Sequence, residues 1–360
     1  MKIGLLGLPK SGKTTLFNLL TGASVATSRY DTGRSELHTG VARVPDPRVD
    51  RLSALFKPKK TTYATFEVVD LAGIEKGERG ALDAREFRNA DALLHVVRAF
   101  ADEARGPADP RRDISDLEME LILADLEVVD RRLERLEASI KKQRKEAEIR
   151  EQQLLARLKG QLEAETPLRA VTLTAEEARL VRGFTFLSRK PILHLVNVEE
   201  KAIAEGERVV ERYGLAEVAR WAHTRVAWVS AVIEAEIAAL EGAEQGAFLA
   251  DLGLAEPAIR RVLRDCYALL GLISFFTVGD DEVRAWPIRR GTRAQDAAGT
   301  VHSDIARGFI RAEVTRYDDL VAAKGSFADV RAHGQLRLEG KDYVVQDGEI
   351  CHFRFNVGKT

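Results

Sequence analysis

Residues 7–14 read GLPKSGKT and match the pattern G-x-x-x-x-G-K-[ST] without a mismatch. At that spacing the backbone of Gly7, Pro9, Lys10, Ser11 and Gly12 can wrap a chain of phosphates, and the start of a following helix adds its own unpaired N–H groups. Lys13 would reach the β and γ phosphates, the Thr14 hydroxyl would sit on Mg2+, and Thr15 continues the cradle. KIGLLGL before the loop and TTLFNLLTG after it, closed by Gly22, supply the strand and helix that such a loop requires.

Two further stretches close apolar runs, where open parallel sheets gather their ligands. DLAG, residues 70–73, ends ATFEVVDL. Asp70 would hold Mg2+ through water, and the Gly73 N–H would sense a γ-phosphate. NVEE, residues 197–200, ends PILHLVNV, where a guanine-reading N-K-x-D would set a carboxylate against N1–H and the exocyclic amine of the base. Asn197 is in place, but Val198 stands for the Lys, whose stem would pack on the base, and Glu200 for the Asp; these three residues are expected to line the nucleotide. Adenine presents a lone pair at N1, which a carboxylate in the guanine position would oppose, so the guanine code is broken. Ser230-Ala231, after VAWV, fits the remaining base-contacting loop.

The frame for these groups is legible as KIGLLGL, TGVARVP, ATFEVVDL, ALLHVVRAF, PILHLVNV and VAWVSA, near-continuous apolar runs separated by helical lengths. That pattern predicts an α/β fold with a mostly parallel sheet covered on both faces. From Ile114 the sheet is interrupted. Met119, Ile122, Leu126, Val129, Leu133, Leu136 and Ile140 keep the 3,4 spacing of a helical seam, KKQRKEAEIREQQ loses it, and Leu155, Leu158 and Leu162 restart it. A coiled-coil arm that turns back on itself is expected, a single solvated helix being the alternative. Thr174-Ala-Glu-Glu177 has capping-box form and predicts a helix through Phe186. From about Leu272 short alternating runs (FFTV, DEVRAWPI, ICHFRF) predict a small mixed α+β domain. The expected division is residues 1–113 and 173–271 for a discontinuous nucleotide domain, 114–172 for the arm and 272–360 for the last domain.

Composition limits the rest. With 55 Lys and Arg against 56 Asp and Glu in 360 residues, there is no global charge that would drive nonspecific nucleic-acid binding, so any RNA contact is local. Two cysteines, Cys266 and Cys351, lack metal-ligand spacing and predict a reduced, cytoplasmic setting. No apolar stretch reaches membrane-spanning length, so no membrane partner is expected, and a monomer is.

With these residues in place, the chain resembles the YchF-type, Obg-like ATPases, the ATP-binding branch of a group of translation-factor GTPases. The resemblance runs end to end through GLPKSGKTTLFNLLTG, TGVARVPDPRVDRL, EVVDLAGIEKG, HVVRAF, HLVNVEEK, FFTVGDDEVRAWPIRRGT, AAGTVHSDIARGFIRAEV and DYVVQDGEICHFRFN. It implies a G-domain-like P-loop NTPase with an inserted arm and a C-terminal β-grasp module of the TGS type. It further implies ATP over GTP at an N-x-x-E site that maps onto Asn197 and Glu200, Mg2+ as cofactor, slow hydrolysis, and ribosome or ribosomal-subunit binding that modulates translation or stress responses. The arm and TGS module would make the rRNA contacts. Phe100, ending H-x-x-R-x-F, maps onto an aromatic packed near adenine, or simply closes the core.

The chain also departs from the family pattern. Lys10 and Ser11 replace Asn and Val in the usual G-x-P-N-V-G-K-S loop, where the Asn helps hold a monovalent cation. The Lys10 ammonium either takes over part of that role or faces solvent. The expected switch hydroxyl falls on Arg34, leaving Thr32, Ser35 or Thr39 as substitutes. Switch II is shortened after KGERG, and Ile74 stands where a water-orienting Gln would be, so a nucleotide-gated binding protein with little hydrolysis, or a GTPase, are the competing readings. Arg284, Arg289, Arg290 and Arg293 around Trp286, and Lys141, Lys142, Arg144 and Lys145 at the arm's turn, are local basic clusters that either contact RNA or are solvated. His302 has no nucleophile or metal partner and no catalytic expectation.

Overall fold

The computed structural model describes residues 1–25, 37–71, 85–102, 106–206 and 208–356. Gly73, Thr32, Arg34, Ser35, Ile74 and the KGERG stretch lie outside the described residues. In chain order the strands are β1 (Lys2–Gly7), β2 (Leu37–Arg43), β3 (Lys60–Thr62), β4 (Thr65–Leu71), β5 (Ala92–Ala99), β6 (Ile192–Val198), β7 (Thr224–Val229), β8 (Leu272–Thr277), β9 (Glu282–Arg289), β10 (Phe309–Arg316), β11 (Arg337–Glu339) and β12 (Glu349–Phe355). The helices that bear on function are α1 (Lys13–Thr21), α2 (Pro47–Phe56), α3 (Pro110–Lys142), α4 (Glu146–Glu163), α5 (Ala175–Leu180), α6 (Ala231–Ala239), α7 (Ala294–Val301) and α8 (Ser303–Arg307).

Residues 1–41 and 67–262 form one compact unit. Its sheet has the order β2-β4-β1-β5-β6-β7, and β1 pairs in parallel with β4 and β5, β5 with β6, and β6 with β7. Every residue of β5 and β6 is buried, which is why those runs carry no polar alternation. Because the strands are parallel, Gly7, Asp70, Phe100, Asn197 and Ser230 all fall at the same carboxyl end of the sheet.

The second unit contains residues 42–66 and 263–360. Its sheet runs β11-β10-β12-β8-β9-β3, and β3 adds to the edge by parallel pairing of Lys60–Thr62 with Glu282–Arg284. The alanines of α7 pack with Phe275, Trp286 and Phe353 in its core. The last domain expected at 272–360 thus takes residues 42–66 from within the expected first segment, 1–113. Arg48 shows the reason: it forms ion pairs at 2.8 Å with both Asp46, which caps α2, and Asp347. Trp286 is buried, donates from Nε1 to Thr277 Oγ1 at 2.9 Å and has the Arg284 guanidinium 3.8 Å over its ring, so its face is occupied. His302 accepts the Asp304 N–H at the start of α8, a capping role.

Helices α3 and α4 form the arm as an antiparallel pair, with α3 about 50 Å long at 1.5 Å per residue. Ile122, Leu126, Val129, Leu133, Leu136 and Ile140 pack with Leu155, Leu158 and Leu162 in one cluster, whereas Met119 is outside it. Across the pair, Arg132 meets Glu151 at 2.8 Å and Asp130 meets Lys159 at 2.7 Å. The tip residues Lys141, Lys142, Arg144 and Lys145 are exposed. The capping box at Thr174 and Glu177 is present with both its bonds, but α5 ends at Leu180 rather than at Phe186. Gly183 weakens helix propensity there and Thr185 adopts φ 50, which breaks the helical ladder.

A buried polar network ties the arm to the sheet. His95 Nδ1 on β5 lies 3.0 Å from His194 Nδ1 on β6, and His194 Nε2 lies 3.4 Å from Glu118 Oε1 on α3. Glu118 is ion-paired to Arg169, which also donates to Ser188 O and Thr224 Oγ1 at 3.2 Å. Asp125 on α3 accepts the N–H groups of Leu187 and Ser188 at 2.8 and 2.7 Å. Burial pushes both imidazoles below their ordinary pKa and keeps them neutral. Burial opposes ionisation of Glu118 as well, but His194 and Arg169 outweigh it and hold its carboxyl below the usual range. A histidine with a depressed folded pKa takes up protons only in the unfolded chain, so its contribution is complete above about pH 6.5 and is lost as pH falls below it. Glu118 adds its own loss at lower pH, beneath the carboxylate range. The thermal midpoint is therefore expected to fall as pH drops from 6.5 toward 5, with a shallower slope for His194→Gln, measured by circular dichroism; parallel slopes would contradict the assignment.

Candidate functional site

The loop between β1 and α1 turns on a Ser11 N–H to Leu8 O bond of 3.1 Å, with Lys10 at φ 63 and Gly12 at φ 94. Gly12 cannot be replaced freely: a Cβ there would lie 2.3 Å from Asn197 Nδ2, in a backbone region that side chains avoid. Helix α1 begins at Gly12 with no side-chain cap and no acidic residue in its first turn. Its N–H groups and positive dipole end are left for an anion. Thr14 and Thr15 are half-buried on that turn, and Lys10 is exposed.

Lys13 Nζ lies 3.6 Å from Asp70 Oδ1, and both side chains are nearly sealed from solvent. Asp70 is set by the parallel register that places it opposite Leu5, two residues before the loop begins at Gly7. Its pKa is raised by burial, against the opposing charges of Lys13 and His38. His38, on β2, is a contributor the sequence did not single out. Among the described residues, Ser11 Oγ, Asp70 Oδ1 and Ser230 Oγ are buried without a hydrogen-bond partner. Ser11 Oγ and Ser230 Oγ, at the same end of the sheet, are thereby open to a ligand, while Asp70 Oδ1 faces the Lys13 ammonium. A buried carboxylate and a half-buried Thr hydroxyl are groups that a hard cation such as Mg2+ accepts, since it takes oxygen ligands and keeps part of its water shell.

Asn197 is the structural centre of the site. Its Nδ2 donates to Ser11 O at 2.8 Å and its Oδ1 accepts the Ala231 N–H at 2.9 Å, so one amide fastens the phosphate loop to the start of α6. Val198, expected beside the base, is instead in the core with Val97, Val196 and Trp228. Successive residues of a strand point to opposite faces, so Asn197 toward the loop sends Val198 inward. Glu200 is exposed at the start of a 3-10 turn, Glu200–Glu205. Phe100 is half-buried just past β5, where Arg98 donates to Phe100 O at 2.7 Å and Gly106 O at 3.1 Å. Arg98 thereby fixes the segment that carries Phe100, a role that only its position in HVVRAF hinted at. Thr39 is exposed on β2.

Removing the Asn197 amide leaves the Ser11 carbonyl and the Ala231 N–H buried and unpaired, about 1–3 kcal/mol for each. Asn197→Ala is expected to weaken Mg-nucleotide binding at least tenfold in a fluorescence titration; an unchanged Kd would refute the clamp.

Comparison with known proteins gives matches along the chain. A family model described as "50S ribosome-binding GTPase" matches residues 2–151, and a YchF GTPase C-terminal model, described as "Protein of unknown function (DUF933)", matches residues 272–356. The chain is 42% identical to the ribosome-binding ATPase YchF of Bacillus subtilis, over 98% of this chain and 99% of that one. It is 35% identical to Obg-like ATPase 1 of rice, over 99% and 92%. The solved structure of the Schizosaccharomyces pombe YchF GTPase superposes with a TM-score of 0.84 at 28% identity, covering 98% of this chain and 97% of that one. End-to-end similarity of this kind, on a phosphate loop, a sealed Lys13–Asp70 pair and an inserted helical arm, means that the chain belongs to the YchF family of P-loop NTPases.

Proposed function

We propose that this protein binds ATP with Mg2+, hydrolyses it slowly, and associates with the ribosome. The observation that carries the reading is the buried Lys13–Asp70 pair at the mouth of an uncapped helix: a cation and an anion held together where a phosphate and a metal would separate them. The printed names of the relatives, ribosome-binding ATPase and Obg-like ATPase, support it.

In this reading Lys13 turns from Asp70 to the β and γ phosphates, and the loop from Gly7 to Thr15 supplies backbone N–H donors. Thr14 and Asp70 hold Mg2+, which when bound neutralises charge on the phosphates. Gly73, outside the described residues, would sense the γ-phosphate. Asn197 positions the loop, while Phe100, Glu200, Ser230 and Ala231 surround the base. ATP is favoured because no Lys stem packs on the base and no Asp reads guanine. Water would be oriented by switch backbone or a bound partner, since Ile74 has no polar group. The arm tip and the C-terminal, TGS-like domain contact rRNA.

Titration with ATP and GTP side by side tests the base reading, tighter ATP binding being expected; tighter GTP binding would overturn it and favour the GTPase named by one matching family. Turnover is expected to be slow, faster with ribosomes, and lost in Lys13→Ala. A wild-type rate equal to that of Lys13→Ala under both conditions favours nucleotide-gated binding without hydrolysis. Lys10, exposed in a left-handed conformation, is assigned part of the role of a monovalent cation. Equal rates in K+ and Na+ are expected, and a strong K+ requirement sinks that assignment.

A further inference from the structure

At the opposite end of the same sheet lies a second polar site. Asp91, Pro191 and His223 immediately precede β5, β6 and β7, and with the residues after α4 they enclose an open cleft of about 580 Å³. Strands of this length place it about 23 Å from the phosphate loop at 3.3 Å per residue, too far for a shared ligand.

The lining is strongly one-signed. Arg88, Arg169, Arg182, Arg189, Lys190 and His223 line it together with one acidic residue, Asp91, which already accepts the Lys2 backbone N–H at 2.9 Å. Arg169 is occupied by Glu118, and Arg88 lies 3.7 Å from the buried Asp125 carboxylate, so both form fixed walls and the available charge comes from the others. Arg182 and Arg189 have no hydrogen-bond or ion-pair partner among the described residues. The Lys190 ammonium donates to Arg88 O and Ala90 O at 2.8 and 2.6 Å, which leaves one of its three N–H groups for a ligand. Burial pushes Lys190 down to about 8 against the opposing charges of Asp125 and Asp91, with Arg88 adding to the shift, so an arriving anion would relieve a cation held at a cost. Two rim residues, Thr185 and His223, hold left-handed backbone at φ 50 and 52, and such strain is commonly stored where ligands bind.

We propose that this cleft binds the phosphate backbone of RNA, through Arg182, Arg189 and Lys190. Planar guanidiniums match phosphate oxygens, and Phe186, the one Phe, Tyr or Trp of the lining, is buried and offers no face to a base. Backbone contact without base contact predicts affinity that depends on salt and not on sequence. The cleft lies at the arm's root, so the proposal rests on the ribosome reading above and names a contact for it.

The test compares wild type with Arg182→Glu/Arg189→Glu in full-length protein, using co-sedimentation with purified ribosomes across a salt series and direct binding of a short RNA hairpin. ATP affinity and thermal midpoint serve as controls for folding, and Arg182→Ala/Arg189→Ala replaces the reversal should it fail to fold. Ribosome and hairpin binding are expected to weaken at least tenfold, and the slope of log K against log salt to shrink by about one to two, the loss of two phosphate contacts. Equal affinity and equal slope for both proteins overturn the cleft. Should wild type fail to sediment with ribosomes, the ribosome reading falls, and the hairpin arm decides the cleft by itself. Displacement of the hairpin by inorganic phosphate at matched ionic strength and equimolar concentration would reassign the cleft to a free anion and overturn the RNA proposal.

Discussion

Everything at the nucleotide end of the sheet depends on one side-chain amide. The phosphate loop and the start of α6 belong to distant parts of the sequence, and Asn197 joins them with a donor bond to Ser11 O and an acceptor bond from Ala231 N–H. No charged residue could replace it, because the two partners need one donor and one acceptor from the same group. The close approach that this requires explains Gly12, whose missing Cβ makes room for the amide. The rigidity of the loop is therefore a property of β6, fixed before any ligand arrives.

The arm is held with comparable economy. Its own seam is ordinary apolar packing, but its root is fastened by carboxylates of α3 that are sealed from solvent. Asp125 is satisfied by two backbone N–H groups, and Glu118 by Arg169 with His194 close by. An unpaired charge at either position would cost several kcal/mol, so any orientation of the helix pair that broke these pairings is disfavoured. Exposed ion pairs farther out, such as Lys141–Glu137, add little.

Much of this was legible in the sequence for reasons that are themselves physical. The phosphate loop, the parallel strands and the helical seam are local or periodic signals, and Thr174 announced its capping box through residues three apart. What escaped was set by partners far along the chain. Nothing near residues 42–66 says that Lys60–Thr62 will extend a sheet built from residues beyond 272. Val198 was read as a base contact from its place in NVEE, but strand alternation, fixed by the way Asn197 faces, sends it into the core. His95 and His194 each look like isolated histidines in apolar runs, and only the register of β5 on β6, His95 opposite His194, makes them a pair.

That pair also joins the two ends of the sheet. His95 borders a small cavity with Gly7 and Leu8 of the phosphate loop, and its neighbour His194 leads through Glu118 to Arg169, a wall of the basic cleft. The path is contiguous, buried and made of groups whose charge states depend on one another, which is the kind of material through which two sites can exchange free energy. Any such exchange must be reciprocal: a nucleotide that shifts the His95 wall would change anion affinity at the cleft by the same factor that the anion changes nucleotide affinity at the loop. His95 and His194 sit on adjacent strands, β5 and β6, so the middle of that path is fixed by side-chain packing within one sheet.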